Sequence, residues 1–217
     1  MLQSNTKKTL ENINKILKIS RELFLKSGIE NVKMTDIAME SEIGVATLYR
    51  YFGMKKTIVI RCGVDLWNKM YTEFKCIDNK NILDNLNGYE SLKKLLLHYK
   101  KLFVKNKEFF IFIKEFDYFC LSEKITKKEL KDYENSIMQI HNIFLETGKR
   151  GIEDRSIRSN IDLENTYFAA AISITSVCQK WIIDKKILES DSMIDPLAQL
   201  QILLESVLYY LKRKGVS

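Results

Sequence analysis

Residues that interrupt helices are scarce in this chain. Its 217 residues include a single proline, Pro196, and eight glycines. Proline breaks a helix interior because it lacks an N–H group and clashes with the preceding turn, and glycine weakens a helix through its backbone freedom. Long stretches without either residue therefore favour long helices. The chain is 46% apolar and 29% charged, a balance typical of globular proteins that bury a core rather than of disordered chains.

Apolar side chains recur at steps of three and four residues along most of the chain, which is the periodicity of amphipathic helices. Thr9 and Thr126 suit the N-caps of two of these helices, and Gly28 and Gly148 suit the residues at which two of them end. The pattern predicts an all-α fold of about nine helices. The predicted helices span residues 9–27, 34–41, 45–51, 55–77, 89–105, 107–121, 126–147, 162–186 and 195–214, with polar segments at 78–88 and 151–162.

Positive charge is concentrated near the N-terminus. The formal net charge of the chain is +7, and residues 1–56 contribute +4 of it. Basic surface attracts phosphate, so this distribution suits a module that contacts nucleic acid, although many basic helix faces are simply solvated.

Several functional classes find no support in the sequence. The longest uncharged stretch, residues 165–179, is too short and too polar to cross a bilayer, and no apolar run follows Lys7 and Lys8 to form a signal peptide. The four cysteines are scattered, which is typical of reduced packing residues. No nucleophile elbow, glycine-rich phosphate loop or metal-ligand cluster is present. We therefore expect a cytoplasmic protein that is not an enzyme and has no cofactor and no structural metal.

The segment from residue 34 to residue 55 has the pattern of a helix-turn-helix. Two short predicted helices are separated by only three residues, and in the second of them Leu48 and Phe52 lie one turn apart on the same face. The remaining faces of that second helix are left for a ligand or for solvent. They carry Val45, Ala46, Thr47, Tyr49, Arg50 and Tyr51. In a helix-turn-helix, such a helix enters the major groove of DNA.

The chemistry of these exposed positions suits DNA. Arg50 taken alone is most simply a solvated surface charge, but an arginine on a short helix after a tight turn can bind guanine or phosphate bidentately. Tyrosine hydroxyls and the lysine at the start of the next helix, Lys55, are typical phosphate contacts. Lys33, at the start of the first short helix, is a further basic candidate. Thr47, Arg50 and either Val45 or Ala46 are predicted to face bases, and Tyr49, Tyr51 and Lys55 to contact phosphates.

The same segment resembles the DNA-binding domain of TetR-family transcriptional regulators. The resemblance rests on Leu23-Phe24 with Gly28, Asp36-Ile37-Ala38, Thr47-Leu48-Tyr49, Tyr51-Phe52 and Lys55, with the family's spacing between Ala38 and Tyr49. It implies a DNA-binding domain at residues 1–54 and a larger helical domain at residues 55–217 for ligand binding and dimerisation.

The turn departs from the family pattern at three positions. Glu42 stands where the turn glycine usually lies, and a non-glycine residue at positive φ costs on the order of 1 kcal/mol. Gly44 replaces the usual serine cap, and Lys33 replaces a threonine cap. We therefore expect a recognition helix that is less firmly ordered than in relatives until DNA binds.

Eight aromatic residues lie between Tyr99 and Phe119. Most of them suit a core, but aromatic residues on more than one face of a helix also suit the wall of an apolar cavity for a small molecule. His141 is a further candidate for the cavity, whereas a metal site at His141 is not favoured because no partner ligand is evident. The predicted pocket residues are Trp67, Tyr99, Phe103, Phe110, Phe116, Tyr133, His141 and Phe144.

The last two predicted helices carry broad apolar faces, more than one chain is expected to cover, which indicates a dimer interface. The family resemblance implies a four-helix bundle with two helices from each subunit. The predicted interface residues are Ala170, Ile174, Trp181, Leu200, Leu204 and Leu208.

These observations predict a dimeric transcriptional repressor. It would bind an approximately palindromic operator in double-stranded DNA and leave it when a small, largely apolar or aromatic effector binds. The alternative is an all-α ligand carrier or interaction scaffold whose basic domain binds no specific DNA. An all-α enzyme whose site the sequence does not reveal is the third hypothesis.

Overall fold

The structure, a computed structural model, describes residues 2–78, 83, 85–183 and 189–213. The fold over these residues is all-α, as predicted, with one isolated β-bridge between Ile157 and Lys212. The α-helices, numbered α1 to α9, are Leu2–Ser27, Met34–Glu40, Val45–Phe52, Lys55–Asp78, Gly88–Lys105, Lys107–Ser122, Lys131–Glu153, Leu163–Ile183 and Pro196–Leu211. A 3-10 helix, which the sequence pattern did not predict, spans Glu189–Met193.

Three predicted helix ends are wrong, one in α1 and two in α7. Helix α1 begins at Leu2, so Thr9 lies inside it and is not its N-cap. Helix α7 begins at Lys131 rather than at Thr126, and it runs through Gly148 to Glu153. Gly148 is buried in the helix, and a Cβ atom there would lie 2.9 Å from a methyl group of Leu163. Close packing, and not helix termination, therefore explains that glycine.

The chain forms two compact units. The N-terminal unit comprises Met1–Asn68 and Phe112–Asn135, and the C-terminal unit comprises Lys69–Ile111 and Ser136–Ser217. Helices α4, α6 and α7 thus contribute residues to both units. This division differs from the predicted boundary at residue 54, because parts of α4, α6 and α7 pack with the first three helices.

The core of the N-terminal unit is built by apolar faces of these helices. Phe24, Ile37 and Leu48, one from each of the first three helices, are almost fully buried, and the ring of Phe24 lies 6.4 Å from that of Phe112. Gly28 ends α1 with φ of 84° and donates a 2.9 Å hydrogen bond to the carbonyl of Phe24, as the sequence predicted.

In the C-terminal unit, α9 packs against both α5 and α8. Helices α5 and α7 approach each other closely at two glycines, where a Cβ atom on Gly88 would collide with the backbone of Gly151. Asp154 accepts a 2.6 Å hydrogen bond from the N–H of Gly88, so the same crossing also caps the start of α5. Among the helices that the structure describes, none is long and apolar enough to span a membrane.

Candidate DNA-binding surface and apolar cavity

The turn between α2 and α3 has the backbone that the sequence predicted. Glu42 adopts φ of 55°, and Gly44 is the N-cap of α3, with its carbonyl accepting from the N–H groups of Thr47 and Leu48 at 2.9 and 3.0 Å. The buried hydroxyl of Ser41 donates to the carbonyl of Ile37 at 2.6 Å. These bonds hold the turn although it contains neither the usual glycine nor a side-chain cap.

A carboxylate compensates for the missing threonine cap of α2. The side chain of Lys33, the N-cap residue, makes no capping bond, but its N–H donates to the Asp36 carboxylate at 2.8 Å. A negative charge in the first helical turn is also favourable to the helix dipole. The start of α2 is therefore satisfied, and the exposed ammonium of Lys33 remains available to a ligand.

Helix α3 presents one face to the core and the others to solvent. Leu48 and Phe52 are buried, as predicted. Of the predicted DNA contacts on this helix, Thr47 and Tyr51 are partly buried, and the others are exposed: Val45, Ala46, Tyr49 and Arg50. An apolar residue such as Val45 exposed by 42% beside an exposed arginine is the expected composition of a base-reading helix.

Tyr51 and Arg50 are positioned by neighbouring side chains. The pKa of Tyr51 is lowered, mainly by a hydrogen bond with Asn12 of α1 and also by Arg50. The guanidinium of Arg50 lies 5.4 Å from the centre of the Tyr51 ring. Helix α1 thus fixes the aromatic side chain on which the arginine rests.

Lys55 makes contacts that the sequence did not predict. Its Nζ donates to the carbonyl of Glu30 at 3.0 Å and lies 5.5 Å from the centre of the Phe119 ring. Partial burial lowers the pKa of this ammonium. An ammonium has three donors, so it can bind a phosphate oxygen while it keeps the bond to Glu30.

Glu42 brings a negative charge to the turn, and α1 neutralises it. Lys15 forms an ion pair of 2.7 Å with the Glu42 carboxylate. This hydrogen-bonded ion pair lowers the pKa of Glu42. The pair limits the repulsion that a bare carboxylate beside α3 would exert on a phosphate backbone.

Three of the predicted pocket residues form a cluster inside the N-terminal unit. The ring of Tyr133 stacks on that of Phe116 at 4.2 Å and meets Trp67 edge-on at 6.4 Å. Tyr133 is buried, and this burial raises the pKa of its hydroxyl. The cluster fills the core of its own unit.

A small apolar cavity lies in the C-terminal unit, between α5, α7, α8 and α9. Its volume of about 30 Å³ is room for about one water molecule. Its only polar side-chain groups are hydroxyls, and those of Tyr99 and Tyr167 are hydrogen-bonded to each other. The lining residues are Leu92, Leu96, Tyr99, Phe144, Leu145, Leu163, Thr166, Tyr167, Ala170, Ala171, Ile174, Val207 and Leu211.

Of the predicted pocket residues, Tyr99 and Phe144 line this cavity. Phe110 is buried against Phe109 elsewhere in the unit, and the side chain of Phe103 lies outside the described residues. The contribution of α8 and α9 was not predicted, because their broad apolar faces also suit a dimer interface. Ala170 and Ala171 were a usable signal, since small residues on a helix leave space beside it.

His141 is buried but does not line the cavity. Its ring stacks on Phe168 at 5.2 Å and meets Tyr167 edge-on, and its Nε2 lies 3.3 Å from a Glu164 carboxylate oxygen. Among the described residues, no group of three His, Cys, Asp or Glu side chains is placed to hold a metal ion. His141 therefore packs between α7 and α8.

The predicted dimer interface needs correction. Five of its six residues are buried within the single chain, where α8 packs on α9: Ala170, Ile174, Leu200, Leu204 and Leu208. Trp181 is partly buried, and its indole N–H donates to Gln199 at 2.8 Å. The large apolar side chains that α8 and α9 leave exposed are Phe168, Ile172, Ile202, Tyr209 and Tyr210.

Comparisons with known proteins include a family match to the helix-turn-helix segment. Residues 16–62 match a family described as bacterial regulatory proteins, tetR family. A helix-turn-helix-type transcriptional regulator of Staphylococcus aureus strain bovine RF122 / ET3-1 is 35% identical over 101 residues. That match spans 42% of this chain and 55% of the relative, so the chain covers little more than half of the relative's length.

Solved structures share the fold over most of the chain. The regulator FadR of Bacillus subtilis, in complex with stearoyl-CoA, aligns with a TM-score of 0.67 at 16% identity, over 91% of this chain and 98% of that one. FadR of Thermus thermophilus, in complex with lauroyl-CoA, aligns with a TM-score of 0.63 at 16% identity, over 94% of this chain and 98% of that one. At these identities the likeness concerns the fold alone. Residues 16–62 thus match the helix-turn-helix domain of the tetR family of bacterial regulatory proteins, and the chain shares the fold of the two FadR structures.

Proposed function

We propose that this protein is a homodimeric, sequence-specific DNA-binding repressor that a small apolar effector releases from its operator. The single observation that carries the proposal is the surface of α3. Val45, Ala46, Tyr49 and Arg50 are exposed on a short helix whose Leu48 and Phe52 anchor it to the core. Two such helices in a symmetric dimer would read two half-sites of a palindromic operator.

The proposed contacts divide into two classes. The residues that face base edges are Val45, Ala46, Thr47 and Arg50. The apolar side chains of Val45 and Ala46 can contact thymine methyl groups. Lys33, Tyr49, Tyr51 and Lys55 contact phosphates, which set the register of the protein on the duplex without reading sequence.

The effector enters the apolar cavity of the C-terminal unit. The two FadR structures contain acyl-CoA thioesters, which supports a ligand with an apolar chain. A cavity of about 30 Å³ is far smaller than such a chain, so an effector of this size would bind a conformation in which α5, α7, α8 and α9 have moved apart. An effector that prefers this expanded conformation shifts the population away from the DNA-binding state.

Selection from random DNA duplexes, followed by anisotropy titration of the enriched sequence, tests the proposal. We expect enrichment of a near-palindromic site and an affinity that falls steeply with salt concentration. If no sequence is enriched, or if the affinity is indifferent to salt, a ligand carrier or scaffold without specific DNA binding becomes the better description.

Two variants test the division of contacts. Lys55→Ala should weaken binding to all sequences and lower the salt slope by about 1, whereas Arg50→Ala should also relax base preference, at a cost of about 1–3 kcal/mol for the preferred base. Lys94→Gln serves as the control, because Lys94 is an exposed lysine of α5 in the other unit. Equal loss on preferred and random duplexes for both variants would refute the separate roles.

A further inference from the structure

A second, polar cleft lies in the C-terminal unit, where the loop after α7 meets the end of α9. Its volume is about 620 Å³, within the range of small-molecule sites. It is lined by Ile152, Arg155, Ile157, Arg158, Ser159, Asn160 and Arg213. The predicted pocket did not include any of these residues.

The cleft concentrates positive charge. Its lining holds three arginines and no acidic residue. Among the described residues, no carboxylate forms an ion pair with Arg155, Arg158 or Arg213. The nearby carboxylate of Asp154 accepts instead from the N–H groups of Gly88 and Ser156. A concavity lined by three guanidinium groups attracts anions.

The backbone and an aromatic ring hold the arginines in place. Arg155 adopts φ of 63° in the turn that follows α7, a left-handed conformation that non-glycine residues rarely take. The guanidinium of Arg158 lies 4.2 Å from the centre of the Tyr210 ring, and its buried Nε has no hydrogen-bond partner among the described residues. The N–H of Arg213 donates to the carbonyl of Ser156, which joins the end of α9 to the loop.

These features favour phosphate over carboxylate. A guanidinium binds either group through a planar pair of N–H donors, but one carboxylate would neutralise only one of the three arginines. A pyrophosphate, or two phosphate groups on one molecule, supplies the charge and the acceptors that three arginines can use. Ser159 and Asn160 add neutral donors at the rim.

We propose that this cleft binds a small organic molecule that carries a pyrophosphate or several phosphate groups. The site is separate from the DNA-binding surface and goes beyond the proposed function. The N–H of Arg158 donates to the carbonyl of Leu211, whose side chain lines the apolar cavity. Two sources share this chemistry, a free organic phosphate and the head group of an amphiphile whose apolar chain enters that cavity.

Isothermal titration of the full-length protein with inorganic pyrophosphate tests the site. We expect saturable binding that weakens as ionic strength rises. The double variant Arg155→Gln with Arg213→Gln should bind at least about tenfold more weakly, because each exposed arginine contributes charge-assisted hydrogen bonds. Circular dichroism checks that this variant keeps its helices, and Arg158 is left intact because it packs on Tyr210.

Matched control variants distinguish binding at the cleft from a nonspecific effect of the protein's net charge. Lys94→Gln and Arg61→Gln together remove the same net charge outside the cleft and should leave pyrophosphate binding unchanged. The proposal is overturned if wild-type protein does not bind pyrophosphate, if this control loses as much affinity as the cleft variant, or if succinate binds as tightly as pyrophosphate. Displacement of pyrophosphate by random-sequence duplex DNA would make the cleft a nucleic-acid surface and would also overturn it.

Coenzyme A and lauroyl-CoA distinguish the two sources. Equal affinity for both compounds, sensitive to the arginine variant, indicates a free organic phosphate. Tighter binding of lauroyl-CoA indicates the head group of an amphiphilic effector. None of these titrations uses DNA, so a negative result leaves the proposed repressor function standing, and a failure to find an operator leaves the phosphate site standing.

Discussion

Glu42 combines two effects that act in opposite directions. Its backbone occupies the left-handed region at φ of 55°, which is unfavourable for a residue with a Cβ atom, while its carboxylate pairs with Lys15 at 2.7 Å. Both partners of the pair are largely exposed, and exposed pairs contribute little to stability. We therefore expect backbone strain to dominate the stability of this turn.

Replacement by glycine tests that expectation. Glu42→Gly and Glu42→Ala both remove the ion pair, but only glycine relieves the strain. The free energy of unfolding of Glu42→Gly should exceed that of Glu42→Ala by about 1 kcal/mol, measured by urea denaturation. Equal stabilities would show that the turn does not hold residue 42 in the left-handed region in solution.

The same residue bears on DNA binding. If strain loosens the turn in the free protein, Glu42→Gly should slow amide hydrogen exchange in α3 without DNA and leave exchange in the complex unchanged. Exchange in α3 that is equally slow in free and DNA-bound wild-type protein would contradict the predicted ordering of this helix by DNA.

At the scale of helices, close approach of α5 and α7 depends on two glycines. A Cβ atom on Gly88 would collide with backbone atoms of Gly151, which cannot move without separating the helices. A Cβ atom on Gly148 would instead meet methyl groups of Leu163, a side chain that can change rotamer. Gly88→Ala should therefore cost about 1–3 kcal/mol of unfolding free energy or more, and Gly148→Ala should cost less. The reverse order in thermal or urea unfolding would show that the two helices do not cross at Gly88.

A second prediction at this scale concerns pH and the segment before α7. Glu129 forms a 2.6 Å ion pair with Lys56 of α4 and accepts from the N–H and hydroxyl of Thr126. These contacts, first among them the bond with Lys56, lower the pKa of Glu129 from 4.5 to about 2. The unfolded chain binds a proton more readily, so the stabilisation is present above about pH 4.5 and is lost as the pH falls towards 2.

The variant Glu129→Gln isolates this contribution. The urea midpoint of the wild type should fall more steeply between pH 4.5 and pH 2 than that of Glu129→Gln. Glu134→Gln, which removes an exposed carboxylate of α7, should keep the wild-type slope. Identical slopes for wild type and Glu129→Gln would mean that the ion pair is not formed in solution.

The sequence predicted the features of the helices that depend on residues close together in the chain. The spacing of apolar residues located all nine helices within a few residues of their observed ends, apart from the start of α1 and both ends of α7, and it identified the buried face that carries Leu48 and Phe52. Spacing does not say which neighbour covers an apolar face. The faces of α8 and α9 were therefore taken for a dimer interface, although Ile174 and Leu204 pack within one chain. The sequence did not predict the arginine cleft, because its three arginines come from two distant parts of the chain, the loop after α7 and the end of α9.

At the scale of the whole molecule, the dimer proposed above must use what the single chain leaves exposed. Ile172 of α8 is 65% exposed and Ile202 of α9 is 64% exposed. A groove of about 410 Å³ between the two helices, lined by Ala169, Ser173, Val207 and Tyr210 among others, offers space for side chains of a partner. Apolar residues flanking such a groove are the usual composition of an interface core.

Charge placed on this surface should dissociate the dimer. In the double variant Ile172→Glu with Ile202→Glu, dimerisation would bury two carboxylates per subunit without partners. This burial costs several kcal/mol, which should prevent the dimer from forming. Light scattering should give the mass of two chains for the wild type and of one chain for the variant. Leu121→Glu, which alters an equally exposed apolar residue of the N-terminal unit, should remain dimeric.

The same variants connect oligomeric state to DNA binding. A monomer carries one recognition helix, so Ile172→Glu with Ile202→Glu should lose most of its affinity for a full palindrome and bind a half-site as weakly as the wild type does. Neither the double variant nor Leu121→Glu alters α3. A loss of dimerisation can therefore be distinguished from a loss of base contacts. If the double variant stays dimeric, the two chains must pair through another surface. If it is monomeric yet binds the full palindrome as tightly as the wild type, paired recognition helices are not the basis of operator affinity.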